Sequence, residues 1–141
     1  MTELKEWRAR LTKILKRQPV QFAYLFGSHA MGRAQERSDI DVAIYPQKGL
    51  TRSQRFDLRL RIMNDIMDTL HEDRVDVVDL QEAPLPLRFS AIQPACLLFS
   101  RKETERVRFA VATQSEYFDR LPLIQRSTAR SLARTARIGL Q

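Results

Sequence analysis

At 141 residues the chain can bury one substantial core and not two, so it reads as a single domain. A hydrophobic fraction of 43% and a charged fraction of 29% exclude a disordered or fibrous chain, and the single cysteine, Cys96, excludes an internal disulfide and fits a reducing cytoplasm. The formal charge of +7 calls for a polyanionic partner or substrate, such as nucleotide phosphates, nucleic acid or an acidic protein surface.

Residues Thr2 to about Arg17 read as an amphipathic helix, with Leu4, Trp7, Leu11, Ile14 and Leu15 on its apolar stripe. The opening TELKEWRARL is too charged for a signal peptide, and no apolar run approaches the ~20 residues of a membrane span, so no membrane is expected. Gln18-Pro19 ends the helix, and Val20 to Phe26 is an apolar, aromatic-rich run expected to be a buried strand.

The strand stops at Gly27-Ser28. Gly27 permits a left-handed backbone and close approach at a sharp turn. Ser28 stands at the expected N-cap of a short helix from His29 to about Gly32, where free N–H groups favour an anion. A P-loop is excluded because Arg33-Ala34 stand where Lys-Ser/Thr is required, and the spacing does not match G-x-G-x-x-G. Arg33 and Arg37 flank the expected phosphate position and could neutralise it.

Ser38 to Ile44 is a second expected strand, carrying two acids among β-branched residues. Alternation puts Asp39 and Asp41 on one face and Ile40, Val42 and Ile44 on the other. Two carboxylates so close repel each other unless a cation lies between them, and Mg²⁺ favours one or two carboxylates plus phosphate oxygens. A phosphate cradle beside paired acids describes a nucleoside triphosphate site.

Beyond a loop from Pro46 to Leu50, Thr51 and Gln54 form an expected capping box. The helix that follows runs to about His71, with Phe56, Leu60, Met63, Met67 and Leu70 expected as its buried stripe. Arg74 to Leu80 is a third strand, in which Asp76 and Asp79, three residues apart, face opposite sides. Only one of them can join Asp39 and Asp41. Pro84 to Gln93 reads as a short helix and Cys96 to Phe99 as a fourth strand. From Arg101 the chain turns helical, with Val107, Val111, Tyr117, Phe118 and Leu121 expected to pack until Pro122 breaks or kinks it. Arg126, Arg130, Arg134 and Arg137 then recur without a single acid, as a solvated tail or a docking helix for an acidic surface.

Gly27-Ser28, ten residues, then Asp39-Ile40-Asp41 resembles the signature of the DNA polymerase β-type nucleotidyltransferase superfamily. The small size points to its minimal nucleotidyltransferase branch, and the chain is similar to the antitoxins of the HEPN/MNT (HepT/MntA) toxin–antitoxin family. The resemblance implies an α+β nucleotidyltransferase fold, a short mixed sheet flanked by helices. Residues 1–100 would be the core and 101–141 a C-terminal helical extension of the same domain. It selects Asp76 as the third acid and leaves Asp79 as a cap for the next turn. Asp39, Asp41 and Asp76 would then hold two Mg²⁺ ions, and Gly27, Ser28 and Arg33 would contact ATP. Many family members read Gly-Ser-x-Ala-Arg-Gly, and Met31 stands at the arginine position here, which shifts that phosphate contact to Arg33.

The implied activity is transfer of AMP from ATP to a tyrosine hydroxyl of a HEPN ribonuclease toxin, in a hetero-oligomeric complex. Two other functions stay open: an antitoxin that neutralises by binding alone, and a nucleotidyltransferase acting on RNA or a small molecule. The chain leaves little room for the extra acceptor domain of the antibiotic-modifying branch, so nucleic acid and small molecules are not the expected primary substrates.

Overall fold

The computed structural model describes residues 2–27, 40–93 and 96–139. Helix α1 spans Thr2–Lys16, strand β1 Val20–Phe26, β2 Ile40–Pro46, helix α2 Arg52–Leu70, β3 Val75–Asp79, α3 Leu85–Ile92, β4 Leu97–Ser100 and α4 Glu103–Gly139. The four strands form one mixed sheet in the order β3-β2-β1-β4. The β1–β2 and β1–β4 pairs are antiparallel, whereas β2 and β3 run parallel, as a connection through the intervening helix α2 requires.

All seven residues of the central strand β1 are buried. An irregularity in register between Val20 and Phe22 changes which residues face which layer. Below it, Val20 packs with Ala23 and Leu25 against Leu11 and Leu15 of α1 and Leu58, Ile62 and Ile66 of α2. On the other face Phe22, Tyr24 and Phe26 meet Ala91 and Ile92 of α3, with Phe109 and Ala110 of α4 packed alongside. Ile40, Val42 and Ile44 lie in the first layer, as alternation predicts, and Ala43 lies in the second.

The capping box is present: Gln54 N–H donates to Thr51 Oγ1 at 3.1 Å, and Thr51 N–H donates to Gln54 Oε1 at 2.8 Å. The buried stripe of α2 matches expectation only in part, with Met63 and Leu70 packed at the edge of the core. Leu58, Ile62 and Ile66 face the sheet, while Phe56 and Leu60 are 55% and 43% exposed. The helix carries two apolar stripes, and the one chosen also brings Arg55 onto the buried carboxylate of Asp79, at 2.9 Å.

The final helix departs from expectation in part, since the chain does not break at Pro122. Its assignment continues through Pro122 to Gly139 with no interruption. It packs through Phe109, Ala110, Thr113 and Tyr117, the last stacked on Phe89 with ring centroids 3.8 Å apart. Tyr117 thus packs as expected, whereas Val107, Val111 and Phe118 are exposed, Phe118 keeping an edge-on contact with Phe89 at 5.8 Å. Among the described residues no helix is long and apolar enough to cross a membrane.

Candidate active site

Of the site candidates, Gly27, Asp41 and Asp76 gather at the end of the sheet where β1 leaves and β2 enters. Phe26 is the register partner of Asp41, and Asp41 is the register partner of Asp76 across the parallel pair. Register partners project to the same face, so Phe26, Asp41 and Asp76 form one row. The next row inward, Tyr24, Ala43 and Val78, belongs to the apolar core of that face. The two carboxylates therefore sit one step beyond the core, where Asp41 is half-buried and Asp76 is exposed.

Asp79 falls on the opposite face, as the three-residue spacing requires. Its side chain is 2% exposed and paired with Arg55, and its Oδ1 accepts the Gln81 N–H at 2.8 Å. Glu82 adds a second carboxylate to Arg55 at 2.8 Å. Asp79 thus caps the turn after β3, and a buried structural ion pair comes with it.

Gly27 adopts φ +76°, a left-handed conformation that favours glycine. A Cβ placed there would lie 2.4 Å from Oδ2 of Asp41. The absent side chain is thus what lets the backbone at the end of β1 run against that carboxylate. Ser28, Arg33 and Asp39, expected as phosphate contacts and first acid, lie outside the described residues, as do His29 and Arg37.

Among the described residues no group of three or more His, Cys, Asp or Glu side chains is clustered as a metal site. The donor chemistry nonetheless fits a hard divalent cation: two register-paired carboxylates on one face, beside a backbone cradle that a Cβ would fill.

Asp76 also opens onto solvent at the outer edge of the sheet. It lines a cleft with Arg59, Val78 and Leu87, and another with Asp73, Arg74 and Val75. Arg59 is fixed there by its Nε–H, which donates to the Val77 carbonyl at 2.9 Å. Arg59 is not among the site residues expected from the sequence, because its contact with β3 is long-range.

A family model described as polymerase beta, nucleotidyltransferase matches residues 9–104. The chain belongs to the polymerase beta nucleotidyltransferase family. It is 30% identical over 98 residues to the protein adenylyltransferase MntA of Shewanella oneidensis, a match covering 70% of this chain and 66% of that relative. Its fold is similar to a chain in a crystal structure of a toxin–antitoxin with AMP-PNP, at TM-score 0.67 and 25% identity, over 86% of this chain and 98% of that one. It is likewise similar to a chain of a mutant MntA-HpeT toxin–antitoxin, at TM-score 0.61 and 27% identity, covering 82% and 93%. The mixed four-stranded sheet flanked by helices is accordingly the nucleotidyltransferase fold.

Proposed function

We propose that this protein transfers AMP from ATP to a tyrosine hydroxyl of a cognate HEPN ribonuclease toxin in the cytoplasm, and so silences it. The observation that carries this reading is the register pairing of Asp41 with Asp76 on one face, beside the left-handed Gly27. The similarity to a protein adenylyltransferase and to chains of toxin–antitoxin structures, one of them with AMP-PNP, supports the choice of nucleotide and partner.

In this reading Asp39, Asp41 and Asp76 hold two Mg²⁺ ions. Bound there, such ions would lower the acceptor hydroxyl's pKa and stabilise the leaving pyrophosphate. Gly27 and Ser28 hold the β- and γ-phosphates at the turn after β1, and Arg33 adds a cation. The acceptor oxygen bonds to the α-phosphorus, the bond to the β-phosphate oxygen breaks, and pyrophosphate departs. Asp76, exposed and open to the clefts at the sheet edge, takes the acceptor's proton as general base. Residues 1–100 form the catalytic core and 101–141 the extension that accompanies it.

Intact-mass spectrometry of a HEPN ribonuclease encoded beside this chain tests the proposal. Incubation with ATP and Mg²⁺ should raise its mass in steps of one AMP, and the Asp41→Asn variant should give none. Tight complex formation without any mass increase would show instead an antitoxin that acts by binding alone.

A further inference from the structure

Among the described residues, one face of helix α4 packs on the body, and a second apolar row touches it only through an edge-on contact of Phe118 with Phe89. Arg106, Phe109, Ala110, Thr113 and Tyr117 face the body: Thr113 is 1% exposed, and Arg106 donates to the Tyr24 hydroxyl at 3.1 Å. Val107, Val111 and Phe118, with Gln114 between them, run along another side and are 44%, 55% and 57% exposed. Their spacing of four, three and four residues is that of a seam for a second helix. Large apolar side chains left exposed in a row at helical spacing mark an interaction surface. The family match ends at residue 104, so the seam lies beyond the part shared with nucleotidyltransferases in general.

We propose that this seam is the docking surface for a helix of the HEPN-type partner that presents an apolar stripe bordered by carboxylates. The proposal rests on the function proposed above. The charge chooses the occupant. The same continuous helix carries Arg126, Arg130, Arg134 and Arg137 with no acid after Asp119, and the exposed Arg108 lies beside the seam. A second copy of this chain would bring +7 against +7. Nucleic acid would satisfy the arginines and leave the seam wet. An acidic, apolar-striped helix satisfies both.

The test compares wild type with Val107→Asp/Val111→Asp, and separately with Val111→Gln, which keeps size and adds no charge. Three quantities are read: affinity for the HEPN protein by titration calorimetry, affinity for AMP-PNP, and oligomeric state by light scattering. The double variant should bind the HEPN protein at least 100-fold more weakly and Val111→Gln several-fold more weakly. AMP-PNP affinity and melting temperature should be unchanged, and the isolated chain should be monomeric. Unchanged affinity for the HEPN protein in both variants overturns the docking proposal and leaves the transferase reading standing. A wild-type dimer that the substitutions dissociate overturns it in favour of a second copy. A wild type that does not bind the HEPN protein at all overturns the functional reading, and this inference with it.

Discussion

The Asp41 carboxylate fills the space that a side chain on Gly27 would need: a Cβ there would lie 2.4 Å from its Oδ2. Gly27→Ala must therefore push the carboxylate aside and hold an unfavourable φ of +76°. AMP transfer should fall at least 100-fold, with a stability loss of about 1–2 kcal/mol. Gly49 separates the two effects. It has φ +93° and nothing within 4 Å of a built Cβ, so Gly49→Ala should cost about 1 kcal/mol and leave transfer unchanged. Melting curves and transfer rates on both variants check this; equal loss of activity at both glycines would refute it.

Asp76 and Asp79 are two strand positions that act on different faces. Asp76→Asn should remove transfer while leaving the melting temperature within a degree or two, because its side chain is exposed. Asp79→Asn removes the buried carboxylate from Arg55, which keeps Glu82 at 2.8 Å, and should cost about 1–2 kcal/mol while the folded fraction stays active. Denaturant titration alongside the mass assay distinguishes them, and a stable but inactive Asp79→Asn would contradict the assignment of roles.

Strand alternation made it legible that only one of Asp76 and Asp79 can share a face with Asp41, and the family resemblance selected Asp76. Given Asp41 on one face, Asp76 shares it and Asp79 does not only if β2 and β3 register as they do, and that register depends on the helix between them. The helix faces were less legible. Both α2 and α4 carry two apolar stripes at helical spacing, and periodicity alone cannot say which meets the sheet. In α2 the deciding contacts are long-range, Arg55 to Asp79 and Arg59 to Val77, and no local pattern encodes them. In α4 the expected stripe divides: Tyr117 packs on Phe89, while Val107, Val111 and Phe118 stay exposed, where the proposed docking helix would cover them.

The corrected face of α2 makes a quantitative contrast. Ile62 is fully buried among β-strand and helix side chains, so Ile62→Ala should cost about 3 kcal/mol through lost burial and a residual cavity. Leu60, at 43% exposure, should cost no more than about 0.5 kcal/mol when replaced by Ala. Urea titrations of the two variants decide it; comparable losses would restore the stripe read from sequence.

The first turn of α4 carries a pH-dependent anchor. Arg106 hydrogen-bonds the Glu103 carboxylate, with its Nε–H donating at 2.9 Å, and also reaches the Tyr24 hydroxyl buried beneath it. Chiefly through that hydrogen bond from Arg106, the carboxyl of Glu103 is held down from its ordinary 4.5 to about 2. A carboxyl lowered in the folded state stabilises it above the unfolded value, and that stabilisation drains away as pH falls through the folded one. The difference in melting temperature between wild type and Glu103→Gln should therefore be constant from pH 7 to about 5. It should shrink as pH falls from about 4.5 to 2, where Glu103 of the folded wild type is about half protonated and most of the difference is gone. Because the carboxylate is at the surface, the difference should also narrow at high salt. A gap between the two proteins that persists undiminished at pH 2 would mean that Glu103 acts through packing and not through its charge.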